Sequence, residues 1–305
     1  MTEIPGKPRF RVCFWGVRGS YPTPGPQTVR YGGNTACVEV EVDRQLFILD
    51  AGSGIIRLGQ NLQRRFQDRP LSISLFITHG HNDHLLGLPF FSPLYNPHAE
   101  IHFYGPQLAD RNIEQLVTPL MSQPYFPVDM RTLPSLRTFH TISTREQFVW
   151  RAGSSLPEIH LQPVVVKETD VQVQAIMTNS HPLDGAVVYR IEYAGRRLVF
   201  ATDVEWKERC DPTFLAFISN ADVLIHDAQY TPDDYPDKQG FGHSTIEMAT
   251  EVAQLAGVKE LVLFHHEPTY DDDKLDKIQA EARKLFPRTT TAYEGLEIDL
   301  LANSK

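Results

Sequence analysis

Positive charge is scarce in this 305-residue chain: 29 Lys and Arg stand against 38 Asp and Glu, a formal net charge of −9. Proteins that grip a long polyanion draw on many Lys and Arg contacts. The balance therefore predicts no long nucleic-acid partner, but it leaves a small anionic substrate open, because bound metal ions dominate the charge of their own site. Cysteine is scarcer still. Cys13, Cys37 and Cys210 are odd in number and widely spaced, which excludes a disulfide framework and a Cys-x-x-Cys metal knuckle. Long apolar runs are missing too. The opening MTEIPGKPRFRVCFWG holds no apolar stretch of signal-peptide length, and no segment has the roughly 20 apolar residues of a membrane span. The expectation is a cytoplasmic protein with free thiols and no membrane partner.

What is present is a large stock of core-forming residues, 41% hydrophobic, enough for one big domain spanning 1–305. Short apolar or alternating runs bounded by Gly, Pro and Asp read as strands over Arg11–Trp15, Cys37–Val42, Leu46–Leu49, Ile73–Thr78 and Ile101–Tyr104. The second half repeats the pattern over Leu161–Val166, Val171–Met177, Ala186–Tyr193, Arg197–Thr202, Val223–His226, Glu260–Phe264 and Leu296–Leu301. Helical spacing marks Gly54–Arg65, Thr245–Ala256 and Asp272–Phe286. Strand-rich halves that each carry helices predict two sheets face to face with helices outside. Residues 119–155 show no clear period and are rich in Pro, Thr, Ser and Arg. So long a loop inside a compact domain points to a lid, a dimer arm or an ordered surface excursion.

Thr78-His79-Gly80-His81-Asn82-Asp83-His84 follows the apolar strand that ends at Ile77. Three histidines and a carboxylate within six residues are poor packing material, since each polar group needs a partner. They are good ligands for Zn, Mn or Fe. Further candidates each sit just past a predicted strand: His181, Asp203 and His265. A lone residue of this kind is usually a cap or a surface group. Together, at strand ends, they can converge on one edge of a sandwich.

The His-x-His-x-Asp-His run, with His181, Asp203 and His265 following in order, resembles the metallo-β-lactamase superfamily over nearly the whole chain. That resemblance implies an α+β (α/β) fold, an αββα sandwich of two mixed sheets flanked by helices, and a hydrolase with two divalent ions, Zn2+ first and Mn2+ or Fe as alternatives. It implies that His79, His81 and His181 hold one metal. Asp83, His84 and His265 would hold the other, with Asp203 bridging. His266 rivals His265, which is favoured because Pro268 lies three residues beyond it. Asp83 also counts among the expected catalytic groups, and a homodimer is the family-like assembly.

Leu224-Ile225-His226-Asp227-Ala228 and Gly242-His243-Ser244-Thr245 look like the ribonuclease Z and small-phosphodiesterase branch. The resemblance implies that His243 stands over the metals and assists the leaving oxygen, with Asp227 orienting it. The branch often has Glu at the latter place. A poor alkoxide leaving group needs such an acid; the plain alternative is a turn residue beside a helix cap at Ser244 or Thr245. Between His181 and Asp203 lie only Pro182 to Thr202, which read as one hairpin. Ribonuclease Z carries its long tRNA-gripping arm there. The expectation is therefore a dinuclear phosphodiesterase acting on a small phosphodiester such as a cyclic nucleotide. The alternatives are a ribonuclease Z-like RNA-processing nuclease, a lactone or thioester hydrolase, and a non-catalytic metal-binding sensor. Arg18, Asn34 and Ser244 are candidate substrate contacts, the first two in glycine-rich turns that permit close approach.

Overall fold

The computed structural model describes residues 8–302 apart from 68, 109, 144–145, 183–184 and 207–209. The chain opens with β1 (Phe10–Gly16), β2 (Cys37–Val42), β3 (Gln45–Leu49), helix α1 (Gly54–Phe66), β4 (Leu71–Phe76), β5 (Ala99–Gly105), the short helix α2 (Ile113–Val117) and β6 (Leu136–Thr141). It continues through β7 (Gln147–Trp150), β8 (Glu158–His160), β9 (Val171–Thr178), β10 (Ala186–Tyr193), β11 (Arg196–Ala201), α3 (Pro212–Ile218) and β12 (Val223–Asp227). Then come α4 (Ile246–Leu255), β13 (Glu260–Phe264), α5 (Asp272–Leu285), β14 (Thr289–Thr291) and β15 (Glu297–Asp299). The strands form two sheets, ordered β15-β1-β2-β3-β4-β5-β6 and β14-β13-β12-β11-β10-β9-β7-β8.

Period-2 alternation explains the layering. Phe47 and Leu49 of β3 enter the core between the sheets, while Leu46 and Ile48 face outward onto α1. Leu198 and Phe200 of β11 point inward, and Val199 and Ala201 pack under α3, α4 and α5. Both faces of these strands are covered, so they are apolar throughout, as buried parallel strands require. The result is the expected αββα sandwich of two mixed sheets.

The segment 119–155, expected as an excursion, contributes β6 parallel to β5 in the first sheet and β7 antiparallel to β9 in the second. Trp150 ends β7 fully buried against Phe47. The polar alternation of Leu136–Thr141 hid an edge strand whose exposed side tolerates Arg and Thr. The strand expected over Leu161–Val166 does not form. Leu161 and Val165 are exposed, Pro163 removes a ladder donor, and the pairing is made by β8 instead.

Strands β3 and β4 are parallel, as are β11, β12 and β13. Antiparallel β10 sits between β9 and β11, so β9 ends at the same edge as β11. The segments after these strands carry the candidate ligands.

Candidate metal centre

The run after β4 folds as a short 3-10 turn over Asn82–His84, which turns Asp83 and His84 inward. His79, His81, His181 and Asp203 each place one donor atom within 4.8 Å of the others. Asp83, His84 and His265 form a second such group, and Asp203, Asp227, His243 and His265 a third. Asp203 joins the first two through opposite oxygens. Its Oδ1 lies 3.5 Å from His79 Nε2 and 3.8 Å from His181 Nε2, whereas its Oδ2 lies 3.1 Å from His84 Nε2 and 3.4 Å from His265 Nε2. All seven expected ligands therefore meet at one place. His81 is the member exposed to solvent. His266 is turned away, bonded through Nε2 to the Ala292 carbonyl at 2.9 Å.

The donor set suits divalent cations. His79 Nε2 is buried without a hydrogen-bond partner. His84 Nε2 and His265 Nε2 face each other at 3.1 Å, while each ring's Nδ1 is occupied by an oxygen, Asp50 Oδ2 at 2.7 Å and Gln229 Oε1 at 3.0 Å. Two lone pairs so placed repel unless a cation or a proton lies between them. Burial holds the His79, His81 and His181 imidazoles below the ordinary histidine pKa. Burial opposes ionisation of Asp203, yet His265, His84 and His79 hold it well below the usual carboxylate range. Neutral imidazoles and ionised carboxylates are the forms that bind metal.

Three of the residues at these strand ends, Asp50, Asp203 and His265, have positive φ (62°, 56° and 62°). Such backbone is uncommon outside glycine and clusters at functional sites. Asp50 escaped the sequence reading. Fully buried after β3, it accepts from the Thr78 amide at 2.8 Å and holds His84 Nδ1. Its signal was available, because Ile48-Leu49-Asp50 repeats the strand-then-Asp pattern of Phe200 to Asp203. Two glycines make room for ligands: a Cβ on Gly19 would lie 2.4 Å from His265 Nδ1, and one on Gly242, at φ +93°, would lie 2.2 Å from His181 Nδ1. Gly242→Ala should therefore lower affinity for metal in the His79–His81–His181 group while leaving the circular dichroism spectrum unchanged. Metal titration of the variant checks it.

His243 is buried beside this centre, its ring stacked on His265 with centroids 4.9 Å apart. Its Nδ1 donates to Asp227 Oδ2 at 2.7 Å. Asp227 is itself held by the amides of Asp203, Gln229 and Ser244 at 3.0–3.1 Å. Burial disfavours the His243 cation, but Asp227, Asp203 and Asp83 outweigh it and raise the pKa to about 9; cations bound next to the ring would pull it back down.

The candidate substrate contacts are not placed for that role. Arg18 is fully buried, with its guanidinium on the carbonyls of Gly32, Glu267 and Tyr270. Asn34 is engaged by Glu294 Oε1 and Ser53. Ser244 is buried and donates to the Val204 carbonyl at 2.6 Å. Backbone carbonyls, Glu294 and Ser53 occupy these groups where the turns pack closely, and the one Arg18 nitrogen left without a partner, Nη2, is buried. Thr245, not Ser244, caps α4, accepting from the Met248 amide.

A family model described as beta-lactamase superfamily domain matches residues 46–266. The chain belongs to the beta-lactamase superfamily. Ribonuclease Z from Thermoplasma acidophilum is 27% identical, with 95% of this chain and 96% of that protein aligned. Among solved structures, the metallo-beta-lactamase fold protein YhfI from Bacillus subtilis shares 20% identity at a TM-score of 0.67, covering 96% of this chain and all of that one. The short form of human tRNase Z shares 19% at a TM-score of 0.62, covering 95% and 99%. These two likenesses concern the fold.

This superfamily member is a metal-dependent hydrolase. The expectation of no long nucleic-acid partner is overturned by the relatives named ribonuclease Z, which align with most of the chain. Net charge is an average over the surface and does not report the field at a site that carries its own cations. No described helix is long and apolar enough to cross a membrane.

Proposed function

We propose that this hydrolase is a ribonuclease of the ribonuclease Z kind, cleaving a phosphodiester bond in RNA at a centre of two divalent ions, Zn2+ first among them. The Asp227–His243 pair beside Asp203 carries the reading, supported by relatives of that name along nearly the whole chain. His79, His81 and His181 would hold one ion and Asp83, His84 and His265 the other, with Asp203 shared. Such an ion pair supplies a water of lowered pKa and neutralises charge on the attacked oxygens. His243 keeps its proton on Nε2 and passes it to the leaving oxygen. Asp227 holds the ring in that orientation and stabilises its charge. The relatives named above are ribonuclease Z, which favours RNA over the expected cyclic nucleotide.

RNA must be held without an inserted arm, since the β10–β11 hairpin occupies the described part of the interval between His181 and Asp203. The loop before His243 offers a grip. Buried Glu205 ties it down, accepting from Tyr235 Oη and the Gly240 amide at 2.7 Å and the Gly242 amide at 3.1 Å. On that anchored loop Phe241 stays 56% exposed, with Lys238 Nζ 5.7 Å above its ring. A fixed aromatic face beside an ammonium suits a base and its phosphate.

The test is cleavage of an RNA with an unpaired 3′ extension by metal-loaded protein, next to cyclic nucleotides, a lactone and a thioester. RNA cleavage lost in Asp203→Ala supports the reading; turnover of the lactone or thioester alone overturns it. Phe241→Ala should raise KM for RNA roughly tenfold with little change in kcat, and Phe241→Tyr should restore it. The kinetic constants of both variants decide the matter.

A further inference from the structure

The two halves of the metal centre are supported differently. In the first, His79 Nδ1 meets Thr78 Oγ1 and His181 Nδ1 donates to the Gly242 carbonyl, each at 3.0 Å. In the second, His84 Nδ1 is held by the Asp50 carboxylate at 2.7 Å, while the support of His265 and Asp83 converges on one neutral side chain, Gln229, which is 1% exposed.

The amide of Gln229 can sit in only one orientation. Its Nε2 lies 3.0 Å from Glu267 Oε2, and a carboxylate oxygen accepts, so the nitrogen must face Glu267. Oε1 then faces His265 Nδ1 at 3.0 Å and can only accept. His265 therefore carries its proton on Nδ1 and presents a lone pair on Nε2. That is the atom 3.1 Å from Asp83 Oδ2 and 3.4 Å from Asp203 Oδ2. Gln229 Nε2 also reaches Ser20 Oγ at 3.2 Å, and the Ser20 amide donates to Asp83 Oδ2 at 2.8 Å. One side chain thus sets two ligands of the second group, and no ligand of the first group hydrogen-bonds to it.

We propose that Gln229, polarised by Glu267, is a positioning residue that fixes the His265 tautomer and thereby sets the affinity of the Asp83–His84–His265 subsite separately from its neighbour. This rests on the two-ion reading of the centre. A hydrogen-bonded partner fixes both tautomer and ring orientation of a ligating histidine, and its removal commonly costs about 10–100-fold in metal affinity. Without an acceptor at Nδ1, the proton can move to Nε2 and block the donor atom.

The experiment is Zn2+ titration of metal-stripped protein, with Co2+ absorption spectra reporting each subsite. Wild type should bind two ions. Gln229→Leu should weaken one by about 10–100-fold and leave the other unchanged. Glu267→Gln, which frees the amide to flip, should have a smaller effect at the same subsite. The double variant Gln229→Glu with Glu267→Gln exchanges carboxylate and amide, keeps an acceptor on His265 Nδ1, and should recover affinity to within a few-fold. Melting temperatures measured alongside expose a variant that has merely lost its fold, and the double variant then decides. Two wild-type affinities in folded Gln229→Leu, parallel loss at both subsites, or no recovery in a folded double variant would each overturn the proposal. A wild type that binds one ion would remove the two-ion reading, and the proposal with it.

Discussion

Asp203→Ala should abolish hydrolysis and lower bound metal from two ions per chain toward one or none. Among the described residues, Asp203 alone offers one oxygen to each group: Oδ1 faces His79 and His181, and Oδ2 faces His84 and His265. In the proposed two-ion centre, losing the carboxylate would remove a ligand from both subsites and the negative charge that offsets the cations. Metal stabilisation of a transition state is worth several kcal/mol, and each 1.36 kcal/mol is about tenfold in rate. The expected loss is therefore about 10³-fold or more on any substrate. Thr202 Oγ1, 2.6 Å from Oδ2, would lose its partner too, so Asp203→Asn serves as a companion that keeps the shape. Elemental analysis after dialysis, paired with turnover, is the measurement. Unchanged metal content and activity in both variants would sink the ligand assignment.

His243→Ala should leave metal content intact and slow turnover by roughly 10²–10⁴-fold, the usual yield of a positioned general acid. The loss should depend on the leaving group. A p-nitrophenolate departs with little help, so bis-p-nitrophenyl phosphate should be affected least. The ribose oxygen of an RNA linkage needs its proton and should be affected most. Asp227→Asn should act in the same direction. The Asp227 carboxylate holds His243 Nδ1 at 2.7 Å and also accepts the amides of Asp203, Gln229 and Ser244. An amide nitrogen in place of either oxygen would face two of those donors, since Oδ2 accepts from Asp203 and His243 and Oδ1 from Gln229 and Ser244. Kinetics of both variants on the activated and the unactivated substrate, with metal assayed in parallel, separate the outcomes. Equal loss on both substrates would reduce His243 to a binding residue, and no loss on either would leave it as a turn residue.

Much of the fold was legible because its strands are covered on both faces. Burial forces continuous apolar runs such as Val223–Asp227 and Glu260–Phe264, and their ends are marked by polar residues that packing does not explain. Edge strands carry no such mark. Leu136–Thr141 and Gln147–Trp150 pair at or near the sheet margins, where Arg, Thr and Gln are tolerated, and Leu161–Val166 was apolar enough to mislead although it is largely exposed.

Residue type and position past a strand were enough, read with the superfamily's pattern, to single out His79, His81, Asp83, His84, His181, Asp203, His265, His243 and Asp227. Such reading works for side chains that have little other reason to occur there. It failed for Arg18, Asn34 and Ser244, because a polar residue in a glycine-rich turn looks the same whether it meets a ligand or a backbone carbonyl. Only the tertiary structure showed that Arg18 spends its guanidinium on Gly32, Glu267 and Tyr270, and that Asp50, Glu205 and Gln229 stand behind the site. The reason is physical: a hydrogen bond is a property of a pair. The partners here lie 34 residues apart for Asp50 and His84 and 36 for Gln229 and His265, so one chain position fixes what an atom can do, and only the fold decides which atom it meets.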